Sequence, residues 1–479
     1  MRSMLGYKAA VSAACAGAVI GASAAPADAF QHALPPKGER VYSVINLAPA
    51  ESDFGFLNQR GHAAYNYNYG GGIGYFDGQR VYSPGPFNDG YKRVTALNEQ
   101  GVVVVDTDYG EGSAYSWTVA GGARLLTGFG FARGINERSQ IAGVAERRAR
   151  VWNPDGRQVN LGPATANSEA YDINDGGLAT GEYGGTAMAW TATGVPIPIG
   201  LTGAGNSQGR YVNARDQVAG TFAVAGTMGV FVWHRHGGLV RIGPFPGLVR
   251  LMGQNDHGQI AADRQVGLEG LLVTFAPFTW TAQRGLRLLP LAGGVHGRVD
   301  ALNNKAEMVG FIQRTPLRND SRRATYWNDI SQPVDLNTRL YRAPAGLVLY
   351  SAIAINDAGA ILANSNAGLV LLRPGKKGSA APVLGALTGA AGSTGFNSTL
   401  DLAVTFADSD AAESHAASAS VDDGCPQPAP SLRELRGRGD VSLRHTFCRA
   451  GPATVVIKVR DRAGNLTETR RTITVSDPS

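Results

Sequence analysis

Five arginines are spaced so that they could act on one ligand. Arg93, Arg133, Arg210, Arg250 and Arg298 each stand three or five residues before a recurring asparagine, and a strand's period of two would put all five on one face. A guanidinium keeps its charge and offers a planar fork of donors, so such a set suits an anionic ligand such as an acidic polysaccharide, or a protein surface of that charge. Tyr211, His296 and Asp300 accompany them in sequence and complete the candidate site. The competing explanation is an arginine-rich chain that scatters the residue over every surface.

Other chemistry is thinly represented. The chain has no His-Glu-x-x-His and no Gly-x-x-x-x-Gly-Lys-Ser loop. His234 and His236 share a strand face and could hold a metal, but no third ligand lies near them in sequence. No catalytic residue is assigned, and a non-enzymatic role is expected. Asp408, Asp410, Asp422 and Asp423 offer the oxygens that a hard Ca²⁺ ion wants, against the plainer role of turn and surface carboxylates, and no other cofactor or metal is expected. Asn319, Asn397 and Asn465 match the glycosylation sequon and are expected to be incidental.

The elements that must position these residues are read from the asparagines. Asn58, Asn98, Asn136, Asn174, Asn213, Asn255, Asn303 and Asn356 each end an apolar run, precede a turn and are followed by a second apolar run. All six tryptophans, Trp117, Trp152, Trp190, Trp233, Trp280 and Trp327, come later in these units, and Phe76 takes the slot in the first. A period of about 40 residues holding several short strands is the signature of a propeller or solenoid. Asn can open a tight turn by accepting from its own backbone two residues on, and Gly61, Gly101, Gly177, Gly258 and Gly359 follow three residues later, whereas Ser139, Asp216 and Ala306 depart from that pattern. The Trp slot is expected to fill the widening gap between blades.

Each unit divides into four strands, as in 93–98, 101–107, 113–118 and 123–127. The eighth has three and then breaks at Arg373-Pro-Gly-Lys-Lys-Gly. Its missing strand is expected from Val41-Tyr-Ser-Val-Ile-Asn-Leu-Ala, which would close a toroid without an exposed sheet edge. The fold expected is all-β: a propeller of about eight four-stranded blades closed by the N-terminal strand, with seven if the first unit is incomplete, followed by a small β-sandwich. The first strands would then converge on one channel mouth and gather the arginines there.

The repeated phrase resembles the HAF-repeat family of exported bacterial proteins, whose units read approximately Ala-x-x-Ile-Asn-x-x-Gly-x-Ile-x-Gly and then Ala-x-x-Trp. The resemblance covers residues 40–374 and implies a propeller-like extracellular protein without implying an activity. Beyond a linker at 375–382 the period stops, and 400–406, 455–459 and 471–475 alternate as sandwich strands do. Phe406-Ala-Asp408, His415-Ala-Ala417, Asp422-Asp-Gly424, His445-Thr-Phe447, Ala450-Gly451 and Asp461-Arg-Ala-Gly464 resemble the PKD-type immunoglobulin-like domain, here over 383–477. Ala419 and Val421 replace that family's core tryptophans, and such domains are spacers or adhesion modules.

Residues 1–29 have the charged start, apolar middle and Ala-Asp-Ala end of a secretory leader, and cleavage is expected after Ala29. Cys15 within it follows Ser-Ala-Ala, a poor lipoprotein box. With the leader removed, Cys425 and Cys448 remain for an oxidising compartment, so a disulfide is expected. The 44 basic and 38 acidic residues give +6, too small and dispersed a charge for nucleic-acid binding. No later stretch reaches the ~20 apolar residues that span a membrane. A secreted or periplasmic monomer that binds an extracellular glycan or protein is the expectation; the alternative is a polysaccharide lyase or glycoside hydrolase on the same toroid.

Overall fold

The computed structural model describes residues 40–477, apart from 53–54, 68–70, 88–89, 108–111, 270–271, 316–320, 329–330, 342, 377–380, 390–391, 409–414, 427–428, 436 and 462–464. The leader, its cleavage site, Cys15, Asn319 and Asp410 therefore lie outside the described residues. Among the described residues no helix is long and apolar enough to cross a membrane.

Every recurring asparagine closes the first strand of a four-stranded antiparallel sheet whose strands follow chain order. Sheet II is typical: Lys92–Leu97, Val103–Thr107, Ser113–Thr118 and Gly122–Thr127 pair in that order. Sheets I, III, IV, V, VI and VII begin at Gly55–Leu57, Gly130–Ile135, Ser168–Ile173, Ser207–Val212, Val249–Gln254 and His296–Leu302 and repeat this order. Sheet VIII takes Leu349–Ile355, Ile361–Ser365 and Gly368–Lys376 from the end of the array and Arg40–Ala48 from its start. In it Val44 faces Leu372 and Ile45 faces Leu371, and the pairing continues to Arg40 opposite Lys376, inside the stretch expected to be linker. Sheet I is a full four-stranded sheet, with Phe76 buried opposite Ala63. Successive four-stranded antiparallel sheets of this kind make the fold a β-propeller.

The apolar residues of the strands are shared between consecutive sheets. One cluster joins Ala64, Ile73 and Tyr75 of sheet I to Val103, Val105 and Trp117 of sheet II, and another joins Ala142, Ala149 and Val151 of III to Ala170, Ala179 and Trp190 of IV. The series ends with Ile45, Leu47, Leu362 and Leu371 of sheet VIII packed on Ala63, Tyr65 and Phe76 of sheet I. Each tryptophan lies opposite the residue five beyond its asparagine, as Trp117 on Val103 and Trp327 on Met308, so the ring falls against the preceding sheet. Removing such a ring typically costs about 3 to 5 kcal/mol.

The asparagines do more than shape turns. Asn174 accepts the Leu178 amide on Oδ1 at 3.0 Å while its backbone carbonyl accepts from Gly177, and the same two bonds form at Asn98 and Asn356. Ser139, Asp216 and Ala306 hold the same left-handed position as the glycines, with φ of 57°, 59° and 62°. The side-chain amide then reaches the neighbouring sheet. Nδ2 of Asn58 donates to the Asn98 carbonyl at 3.0 Å, Asn98 to Asn136 at 3.2 Å, and Asn136 to Asn174 at 2.9 Å. Asn174, Asn213, Asn255 and Asn303 donate in turn to the next carbonyl, and Asn356 returns to Asn58 at 2.9 Å. All eight are buried.

The C-terminal strands form a sandwich of two four-stranded sheets, one centred on Thr399–Ala407 and Arg438–Thr446, the other on Gly451–Asp461 and Leu466–Ser476. Alternating residues Leu402, Val404, Phe406, Val441, Val455, Ile457 and Ile473 meet between them, with Val421 buried at their edge. Cys425 and Cys448 are joined by a disulfide across 23 residues.

An aspartate at a repeat position would keep the turn acceptor and lose the donor. Asn174→Asp is expected to lower stability by about 1 to 3 kcal/mol, because a carboxylate would face the Asn213 carbonyl in a buried place. Thermal denaturation with Asn174→Asp beside Asn174→Ala tests this; equal stability of Asn174→Asp and the parent would remove the bond from the account.

Candidate functional site

The first strands do not run in uninterrupted alternation. In each of sheets II to VIII pairing skips the residue three before the asparagine, Thr95, Arg133, Tyr171, Arg210, Met252, Asp300 and Ile353, and sheet VIII skips Tyr350 as well. A bulge of this kind re-aims the side chain it frees. Arg133 and Arg210 are bulge residues, whereas Arg93 and Arg250 sit in regular pairing directly opposite Asp106 and Asp263. The five arginines are therefore not equivalent in the pairing: those three before the asparagine are bulge residues and those five before lie in regular pairing.

Three of the five do meet. Arg93, Arg133 and Arg210 line a cavity of about 450 Å³ with Tyr171, Asp172 and Tyr211, bounded by first strands of sheets I to V. Arg250 and Arg298 are not in its lining. Arg298 instead lies 3.7 Å from Asp263 and 3.3 Å from Asp300, and the Arg298 charge adds to burial in lowering the pKa of Arg250.

Carboxylates are the residues that the spacing argument missed. Arg133 is clasped between Asp106 at 2.8 Å and Glu169 at 2.7 Å, while Arg93 reaches Asp106 at 3.7 Å. The rim is of mixed sign and not simply basic, because guanidinium groups this close to a low-dielectric interior need counter-charges. Arg210 differs: it is exposed and stacked 4.5 Å over the Tyr171 ring. Asp106 and Asp263 stand eight residues after their asparagines, and Asn66 and Asn364 fill the same slot. Each accepts a backbone N–H from beyond its own sheet, Asn66 from Val94, Asp106 from Ala132 and Asp263 from Val299 of the next sheet, and Asn364 from Ser52 in the connection to sheet I, at 2.7 to 2.9 Å. A polar residue recurring inside otherwise apolar second strands was the available signal.

His296 is also relocated. Its ring is buried and Nδ1 accepts the Phe275 amide at 2.9 Å, the job that Ser168 and Ser207 do for Ala149 and Ala187. Burial pushes its pKa down to about 4, so it stays a neutral tie between sheets and not a rim base. Tyr211 donates to the Met252 carbonyl at 3.1 Å, and burial pushes its phenol up to about 12.

Burial also raises the buried Asp106 to about 6 and Asp263 to about 7, and the half-buried Asp172 to about 7, against the pull of Arg133 on the first and of backbone N–H donors on the other two. Asp172 accepts from Val212 on Oδ2 and from Ile173 on Oδ1, both at 2.9 Å.

The remaining candidates are separate. His234 and His236 stand with ring centres 6.0 Å apart, and His234 Nδ1 accepts from the backbone of the hairpin turn. In the sandwich Asp408 bonds His415 at 3.1 Å, Asp423 bonds His445 at 2.7 Å and Asp422 accepts from the Thr454 amide, so the described carboxylates serve different partners. Among the described residues the one group with metal-like spacing is Asp423, Cys425 and His445, whose sulfur is committed to the disulfide. Asn397 is exposed, whereas Asn465 is buried against Asp461.

No family model matches the chain, and no curated protein does. Solved structures of similar course include YCF48 bound to D1 peptide, at 10% identity and a TM-score of 0.37 over 71% of this chain and 97% of that one. Dipeptidyl peptidase 4 of Porphyromonas gingivalis gives 9% and 0.43 over 76% of this chain, and TolB of Acinetobacter baumannii 12% and 0.30 over 70%. The chain spans 65% and 64% of the latter two. None of these transfers a site to this chain.

A carboxyl whose folded pKa exceeds its unfolded value stabilises the fold below the unfolded value and loses that contribution as pH rises through the folded one. For Asp172 the window runs from about 4 to about 7. Asp172→Asn is expected to gain melting temperature relative to the parent steadily from pH 4 to pH 8. A pH-independent difference between the two melting curves would contradict the burial of that charge.

Proposed function

We propose that the chain is an exported binding protein whose propeller holds an anionic extracellular ligand, an acidic polysaccharide first, at its central cavity. In this proposal residues 1–29 are a leader, 40–374 an eight-bladed propeller of HAF-repeat type closed by its N-terminal strand, and 383–477 a PKD-type spacer or adhesion domain. The phrase shared by eight units, the pairing of Arg40–Ala48 with Gly368–Lys376 and the returning series of asparagine bonds support the toroid. The observation that carries the binding role is the convergence of Arg93, Arg133 and Arg210 with Tyr171 and Tyr211 on one cavity of about 450 Å³. Arg210 supplies the exposed charge and Tyr171 the flat surface beneath it, a pairing suited to a carboxylated sugar ring.

A second reading, a polysaccharide lyase or glycoside hydrolase, rests on Asp172, which lines the same cavity and titrates near neutrality. A hydrolase needs a second carboxyl near the first, and Glu169, held by Arg133 on the same strand as Asp172, is the one at hand. A lyase needs a base, and the tyrosines here are raised and not activated.

Retention on immobilised polygalacturonate or alginate, with product analysis of the eluate, tests both readings. Arg93→Ala with Arg210→Ala is expected to abolish retention while leaving the fold intact, since Asp106 keeps Arg133 and the Ala132 amide. Retention without products supports a binding protein, whereas shortened chains support the enzyme. Undiminished retention of the double variant would remove the cavity from either role.

A further inference from the structure

A second cavity, of about 370 Å³, lies between the propeller and the sandwich and shares no lining residue with the central one. Three arginines line it, Arg373 and the exposed Arg60 from the propeller and Arg460 from the sandwich. Arg373 comes from the third strand of sheet VIII, donates to the Gly78 carbonyl at 2.8 Å and lies over the Phe76 ring at 5.7 Å. Arg460 comes from the sandwich strand Gly451–Asp461. Burial, with the Arg460 charge added to it, pushes Arg373 down to about 10.

Among the described residues, neither Arg373 nor Arg460 has a carboxylate at salt-bridge distance. The two acids in the lining are occupied: Asp77 accepts from the Gln79 and Arg80 amides and the Tyr82 hydroxyl, and Asp461 from the Asn465 amide and side chain. His415 at the same edge is held between Asp408 and Glu434, each at 3.1 Å. Arg373 and Arg460 share a part-buried space in which the Asp461 charge acts on Arg460 but no described carboxylate pairs with either; such crowding is costly, and paired guanidinium forks match the oxygens of a tetrahedral anion. We propose that this cavity binds a tetrahedral oxyanion, sulfate or phosphate, between Arg373 of the propeller and Arg460 of the sandwich, and that the bound anion fastens the two domains together.

The test uses the full chain, with inorganic sulfate exchanged against chloride at constant ionic strength. Titration calorimetry is expected to show one saturable site, and the melting temperature to rise over the same concentrations. Arg460→Met and Arg373→Met are each expected to weaken binding by about tenfold or more. Arg210→Ala is expected to leave it unchanged, which separates this site from the central cavity. N-acetylglucosamine 6-sulfate tells the sources apart: tighter binding than inorganic sulfate assigns the site to a sulfated sugar, and equal or weaker binding to the free ion. If Arg373→Met does not fold, Arg460→Met decides alone. Absence of saturable binding by the parent chain, or parent-like binding by Arg460→Met, overturns the proposal.

Discussion

The propeller depends on one hydrogen bond made eight times, from an asparagine side-chain amide to the backbone carbonyl of the next asparagine. Asp or Ser could open the same turn, but neither offers an N–H to pass on. Each asparagine thereby fixes its own hairpin and the distance to its neighbour together. An outer series follows the same path one residue later: the Glu99 carboxylate accepts the Gln59 amide, Glu137 accepts Glu99, and Asp357 accepts Asn304. It is interrupted where Ala214 offers no acceptor to Asp175, while the asparagine series has no such break.

With the inner ends tied, length variation is pushed outward. Consecutive asparagines are 38 residues apart between sheets II and III and 53 apart between VII and VIII, yet the bond lengths are 3.2 and 2.9 Å. The extra residues lengthen the later strands and loops, as in Ile260–Glu269 and Leu272–Thr281, the second and third strands of sheet VI. Positions counted from the asparagine consequently keep one role around the array. Three before is the bulge in sheets II to VIII, five after lies under the aromatic ring in sheets I to VII, and eight after is the acceptor in sheets I, II, VI and VIII. Charge at the centre follows the same arithmetic, since arginines on first strands meet acids on second strands and largely cancel them, which leaves Arg210 as the exposed member.

Much of this architecture is legible in the sequence because it is local and repeated. The asparagine turn, the aromatic slot and the strands of sheet II need only short-range spacing, and the observed bounds Ser113–Thr118 coincide with those expected. Donation from one asparagine to the next lies between units, so a single unit carries only the hint that Asn is kept where Asp would serve. The pairing of the arginine-bearing strands was misjudged for a related reason. A period of two presumes continuous pairing, and a bulge is set by how two strands fit together, which no residue type three before the asparagine announces: Thr95, Tyr171, Met252 and Ile353 occupy that position as readily as Arg133. His296 misled because its type suggests titration, whereas the fold uses only its lone pair. The meeting of Arg373 and Arg460 depends on how two domains pack and leaves no trace in spacing.

The most direct measurement on the central claim is hydrogen–deuterium exchange, followed by mass spectrometry, on the peptide spanning residues 40–48. A ring joined through this segment predicts amide protection comparable to that of residues 368–376, with both segments released together in denaturant. Exchange of 40–48 at the rate of an unstructured peptide, while 368–376 stays protected, would contradict the closed ring.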